Sequence, residues 1–247
     1  DSILQDMLKQ ATVLQHVKLK ELDAITLQGD EEKLRPTLYD LLAFEAIDCY
    51  TKFATSSNDN VWEIDSIAYS ANKDFINYHF SKDSTGFGSQ VLQVFQALLK
   101  FHKDDTDQAA FIDADIQRIA WVNNHTGFDN RNELYSNALQ QIIDASGNQP
   151  AADEAWFLLA KAHKEKGDNY KANEDTANQF EKVKAFALIN KRLQQQTKKS
   201  SGRDNLLELK REILAKNISS KVESVNVPDK PFRLFVEYTN TDTLYYR

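Results

Sequence analysis

Between Asn132 and Gly167 the chain reads NELYSNALQQIIDASGNQPAADEAWFLLAKAHKEKG, and this stretch restricts the fold more than any other. Leu134, Tyr135, Ala138, Leu139, Ile142 and Ile143 recur at three- and four-residue spacing, which puts them in one apolar stripe on a helix. Gly147 follows and can take the positive φ that ends a helix. Pro150 suits a first helical position, where its missing N–H is no loss. A second helix then carries Trp156, Leu159, Ala160 and His163 and stops at Gly167-Asp168. A large ring followed by small residues on one face lets a neighbouring helix approach closely. The stretch reads as helix–turn–helix scaffold, and nothing in it is chemistry.

The same period recurs along the chain. Ile3, Leu4, Met7, Leu8, Ala11 and Leu14 predict a first helix running toward Leu22 and Ile25 and ended by Gly29-Asp30. Pro36-Thr37 opens the next, with Asp40 three residues after Thr37 approximating a capping box. There Leu38, Leu42, Ala46, Cys49 and Phe53 form one stripe and Leu41, Phe44 and Ile47 a second face, which predicts a central helix. Thr55 to Asn60 is a polar loop, Val61 to Phe80 has no regular pattern, and Ser81 to Gly88 is a second loop. Helical spacing returns in Leu92, Phe95, Leu98 and Leu99. Asp105-Thr106-Asp107 then caps a helix bearing Ile112, Ile116 and Ile119, and Asn123 to Asn130 turns into the opening stretch. Beyond Gly167 a polar passage leads to a helix with Phe180, Val183, Phe186, Ile189 and Leu193. Lys198 to Gly202 breaks it, and Leu206, Leu209 and Ile213 mark the last helix.

Near Ser219 the period changes to two. Phe232, Leu234, Val236 and Tyr238 alternate with Arg233, Phe235 and Glu237, as in a half-buried strand. Asn240 to Asp242 is a turn, and Leu244-Tyr245-Tyr246 starts another strand. With only 7 Gly and 4 Pro, the chain is poor in the residues an all-β fold needs for its turns. A net charge of −7 without a basic stripe makes nucleic acid an unexpected partner. No apolar run approaches the roughly 18–20 residues that cross a bilayer. Cys49 is the only cysteine, so no intrachain disulfide or cysteine-cluster metal site can form. The opening DSILQDMLKQ has no signal pattern and no initiator Met, so the chain reads as a mature or excised piece.

Helices in pairs, with a Trp–Leu–Ala run before Gly-Asp, resemble tetratricopeptide repeats, here as Asn132–Gly167 and Phe180–Lys216 with the polar passage inserted. His163 replaces the usual tyrosine, and no proline closes the second helix. The C-terminal segment VNVPDKPFRLFVEYTNTDTLYYR resembles a join in bacterial α2-macroglobulin-like proteins. In those, a proline-containing linker leads into a macroglobulin-type β-sandwich through a Tyr–x–Asn…Leu–Tyr–x–Arg pattern, matched here by Tyr238, Asn240, Leu244, Tyr245 and Arg247. RPTLYDLLAFEAIDCY (35–50), ELYSNAL (133–139) and EAWFLLAKAHKEKGD (154–168) resemble the N-terminal helical region of the same proteins. The resemblance implies a scaffold or docking module of a large extracytoplasmic, cell-envelope protein that traps or inhibits proteases, with protein partners and no enzyme activity. That family's Cys–x–Glu–Gln thioester is not matched, since Cys49 is followed by Tyr50-Thr51-Lys52. The expected architecture is mainly α, with residues 1–218 a tetratricopeptide-like helical domain and 219–247 the start of an incomplete β-sandwich. A stand-alone helical-repeat adaptor holding a peptide or protein in its groove is the alternative.

No catalytic, cofactor-binding or metal residue is assigned. His16, His79, His102, His125 and His163 lack ligand spacing, and His102 near Asp104 and Asp105 is the nearest approach to a cluster. His163 reads as a packed or hydrogen-bonded core histidine. Glu45 and Asp48, with Asp40 on the same helix, form the one carboxylate pair that could divide acid–base work, and a buried structural carboxylate is the competing reading. Gly86-Phe87-Gly88 lacks the third glycine of a dinucleotide loop, and Asn58-Asp59-Asn60 lacks the glycine and glutamate of a calcium loop. Phe157 and Lys161 stand where a carboxylate clamp would place Lys and Asn. Trp156 and Phe157 read as core, and Trp62 as the better candidate for an exposed contact.

Overall fold

The structure, a computed structural model, describes residues 10–22, 34–56, 64–80, 86–171, 176–225, 230–243 and 245. Among them are nine α-helices and two strands: α1 Ala11–Leu14, α2 Leu38–Ser56, α3 Asn72–Asn77, α4 Phe87–His102, α5 Ala109–His125, α6 Arg131–Ser146, α7 Asp153–Asp168, α8 Glu181–Gln195, α9 Ser201–Leu214, β1 Asn217–Val222 and β2 Leu234–Thr239. The fold is mainly helical with one small antiparallel sheet. Each long helix packs on the next: α2 on α4, α4 on α5, α5 on α6, α6 on α7, and α7 on both α8 and α9. One continuous apolar core runs from Tyr39 to Leu209.

The opening stretch folds as its spacing predicts. Ala138, Leu139, Ile142 and Ile143 are buried on α6, and Gly147 ends the helix at φ +55°. Pro150 begins a single 3-10 turn, Pro150–Ala152, that feeds directly into α7. On α7, Ala155, Trp156, Leu159 and Ala160 are buried. At the start of α2 the Thr37 amide and hydroxyl both donate to Asp40 Oδ2, each at 2.8 Å, which is the capping box with aspartate in the glutamate's place.

Other expectations are corrected. Of the first helix only Ala11–Leu14 forms among the described residues, followed by the 3-10 turn Leu19–Leu22. Ile3, Leu4, Met7, Leu8, Ile25, Gly29 and Asp30 lie outside them. Helix α2 is not central: it buries Tyr39, Ala43, Ala46, Ile47, Tyr50 and Ala54 toward α4, while Leu38, Leu42 and Cys49 are half-buried and Phe53 is exposed. The central helix is α5, buried around its circumference and lying between α4 and α6. Gly88 belongs to α4 rather than to the loop before it, and of Asp105-Thr106-Asp107 it is Asp107 that accepts from the Ala109 amide at the start of α5 (3.0 Å). On α8 the buried positions are Glu181, Ala185, Ile189 and Arg192, leaving Phe180 and Val183 each 61% exposed. The region without readable period supplies the turn Ser66–Tyr69 and the short α3, both held by side chains reaching from α4 and α5. Gln96 donates to the carbonyls of Phe75 and Tyr78, and Arg118 to those of Ala68 and Ser70.

Helix α9 lies so close to the start of α7 that a Cβ on Gly202 would meet the Glu154 amide nitrogen and the Asp153 carbonyl carbon at less than 3 Å. Both are backbone atoms and cannot swing aside. Gly202→Ala is expected to lower unfolding free energy by about 1–3 kcal/mol through overpacking. Urea denaturation measures this, and an unchanged midpoint would mean that α9 does not approach α7 so closely.

Candidate functional site

Three surfaces or clusters carry the residues from which a function could be built. The first is the C-terminal ribbon. Helix gives way to strand between Leu214 and Asn217, and β1 pairs with β2 in the register Ile218↔Tyr238, Ser220↔Val236 and Val222↔Leu234. Opposed residues share a face, so Ile218, Val222, Leu234, Val236 and Tyr238 make one side almost wholly apolar. The other side carries Asn217, Ser219, Lys221, Phe235, Glu237 and Thr239. On the apolar side Ile218, Val222, Leu234 and Tyr238 are 48–58% exposed. Among the described residues, the ribbon's only substantial packing is of one strand on the other. It is anchored at one corner. Asn240, at φ +53°, donates from Nδ2 to the carbonyls of Ile213 (2.8 Å) and Ala215 (3.0 Å), satisfying orphan acceptors at the end of α9.

The alternation over Leu234 to Tyr238 is thus a strand, as its period predicts. Its partner among the described residues is β1, upstream. Leu244, Tyr246 and Arg247 lie outside the described residues. The change of period near Ser219 falls within β1, but Ser219, Ser220 and Lys221 dilute its alternation, so the bounds of that strand are not readable from NISSKV.

The second surface is a groove of about 290 Å³ between α7 and α9. Phe157 and Leu209 form its apolar floor, and Lys161, Lys164, Glu208 and Glu212 its charged rim. Lys164 donates to Glu212 at 2.5 Å and pairs with Asp168 at 2.9 Å, so part of the rim is already neutralised. Phe157 is half-buried, packed against the core, and also lines this groove, with the Lys161 ammonium 6.0 Å from its ring. Trp156, one position on, points inward, only 4% exposed.

The third is a set of buried charges. His102, 1% exposed, places Nε2 2.6 Å from Asp40 Oδ1 and Nδ1 2.6 Å from Asp105 Oδ2. Burial pushes the imidazole pKa down, but hydrogen bonds and charge from Asp40 and then Asp105 outweigh it, and the net shift is upward. With both ring nitrogens on carboxylates, none is free to take a proton from a substrate. Arg118 donates from Nε to Asp115 (2.9 Å) and lies 4.3 Å from the centre of the Phe75 ring. Arg192 donates from Nε to Asp153 (2.5 Å) and from Nη2 to the Gln149 carbonyl (2.6 Å). Gln196 and Ser200 complete the shell around Asp153.

The remaining candidates fall as follows. Asp105, not Asp104, joins His102, and Asp40 from a distant helix completes that group. Glu45 and Asp48 are both exposed, which corrects the reading of either as a buried structural carboxylate. Asp40 is the buried carboxylate of α2. His163 is half-buried and hydrogen-bonded to Glu181 at 2.6 Å. Burial pushes the Glu181 carboxyl up, but its bonds to Lys184 and His163 hold it below the usual range. Gly86-Phe87 opens α4, with the Phe87 ring against Tyr50 and Phe53. Cys49 is free and half-buried. Trp62 and Asn58-Asp59-Asn60 lie outside the described residues.

Among the described residues no group of three or more His, Cys, Asp or Glu side chains is arranged to hold a metal, and no helix is long and apolar enough to cross a membrane. Comparison with family models, curated proteins and solved structures found no match to the chain.

Proposed function

We propose that this chain is a non-catalytic scaffold or docking module of an α2-macroglobulin-like protein that inhibits or traps proteases at the bacterial envelope. The observation that carries the reading is the ribbon: one almost wholly apolar side, an opposite side that is polar except for Phe235, and nothing packed over the apolar side among the described residues. An isolated two-stranded ribbon is marginal in water, and contiguous exposed apolar surface marks a contact site. A sheet of this patterning suits the inner layer of a β-sandwich. The resemblance of residues 225–247 to the linker and first strands of a macroglobulin sandwich supplies the kind of sheet. The helices before it then serve as the tetratricopeptide-like platform, with α6–α7 and α8–α9 as the two repeats. Partners are proteins, and the site of action is extracytoplasmic.

A specific observation favours a second reading. The α7–α9 groove, apolar at its floor and charged of both signs at its rim, has the character of a peptide cleft in a stand-alone helical-repeat adaptor.

Immunoblotting source-cell fractions with an antibody to this segment separates the two. A band several-fold above 28.3 kDa in the envelope fraction is the expected result. A cytoplasmic band near 28.3 kDa would overturn the macroglobulin reading and leave the adaptor.

A further inference from the structure

The buried His102 cluster joins three segments of the chain. Asp40 lies in the first turn of α2, His102 is the last residue of α4, and Asp105 sits in the turn between α4 and α5. Ionised carboxylates only accept, so two carboxylate contacts at 2.6 Å require a proton on each ring nitrogen. The two carboxylates differ in what else holds them. Asp40 is buried and also accepts from the Thr37 amide and hydroxyl. The Asp105 side chain is 41% exposed and can turn to water.

We propose that Asp40, His102 and Asp105 form a proton-operated latch: the doubly protonated imidazole fastens the α4–α5 turn to the start of α2, and loss of one proton leaves the ring on Asp40 and frees Asp105. A neutral imidazole keeps one N–H, and the buried carboxylate, which water cannot reach, retains it. The bare nitrogen then faces the Asp105 oxygen lone pair to lone pair, and that contact opens. The other groups facing the cluster leave the proton on the ring. From α2 comes Tyr39, whose phenol is pushed up by burial and by Asp40. On α4 the Phe101 ring lies 4.3 Å from the imidazole. In the turn, Lys103 pairs with Asp104 at the surface. Beside Thr37 runs the segment carrying Lys18, bridged to it backbone to backbone, and His16, bonded to the Thr12 carbonyl. Among the described residues, no cation other than the imidazolium touches either carboxylate.

The sign follows from the raised folded-state pKa. The latch is fully closed below the unfolded histidine value of about 6.5 and is lost as pH rises through the folded value. NMR of the whole chain tests it, following the His102 ring and the Asp105 amide, which donates to the His102 carbonyl at 3.1 Å. The ring is expected to titrate above 6.5, with exchange protection at the Asp105 amide falling by up to about tenfold per pH unit between the two pKa values. In Asp105→Asn, a change at a half-exposed side chain that leaves Asp40 in place, the ring titrates lower and the turn loses its pH response. A ring that titrates at or below 6.5, or an Asp105 amide that ignores the ring's midpoint, would overturn the latch.

Discussion

Arg192→Met is expected to remove about 3–5 kcal/mol of unfolding free energy, because it leaves the Asp153 carboxylate buried without its cation. The guanidinium and the carboxylate are each 1% exposed. The same guanidinium also donates to the carbonyls of Gly147 and Gln149, so one side chain ties the α6–α7 turn, the start of α7 and the end of α8. The loss therefore has two parts, an uncompensated charge and orphaned carbonyls. Adding Asp153→Asn separates them. The double variant should recover about 0.5–3 kcal/mol relative to Arg192→Met, since an amide is less costly to bury than a lone carboxylate. Urea denaturation at neutral pH reads both differences. A loss below about 1 kcal/mol for the single change would place the pair at the surface, contrary to the packing described here.

Trp156→Ala is the second large effect, again about 3–5 kcal/mol. The ring fills the centre of α7 at 4% exposure, with the Lys191 ammonium 5.4 Å and the Arg192 guanidinium 5.9 Å from its centre. Its Nε1 is buried and has no hydrogen-bond partner among the described residues. Trp156→Phe deletes that unsatisfied donor and keeps most of the apolar volume, so it should cost less than half as much as the alanine change. Equal losses for Phe and Ala would show that the indole as a whole, rather than its bulk, holds the helices.

The helices were legible wherever their buried faces are aliphatic. Residues 132–168 were read nearly whole because Ile142, Ile143, Leu159 and Ala160 sit at helical spacing and both Gly147 and Pro150 punctuate the turn. On α5 the spacing of Ile112, Ile116 and Ile119 marks a helix but not its central place, because Asp113, Asp115 and Arg118 are buried on it and charged residues read as surface. On α8 the same reversal misled the assignment of faces. Glu181 and Arg192 point inward, while Phe180 and Val183 face solvent. Helix α2 differs in another way: its core face combines Ala43 and Ala46, small enough for α4 to approach, with Tyr39, Ile47 and Tyr50, which leaves Leu38 and Leu42 half-buried and Phe53 exposed. The His102 cluster was half visible. Asp105 is three residues away, but Asp40 lies 62 residues distant, and only the fold brings it within 2.6 Å. The Thr37–Asp40 capping box was seen, without the second task that its aspartate performs.

The ribbon bears most of the functional argument, and its apolar side can be interrogated residue by residue. In a Cys49→Ser background, single cysteines at Ile218 and Leu234 on the apolar side, and at Lys221 on the other, report accessibility to a maleimide. In this chain alone all three should label at similar rates, since all three positions are exposed. In the polypeptide as it occurs in its source cells, the account predicts that the cysteines at 218 and 234 become protected while the one at 221 stays reactive. Equal labelling at all three positions in both settings would contradict it, because no second sheet would then cover the ribbon.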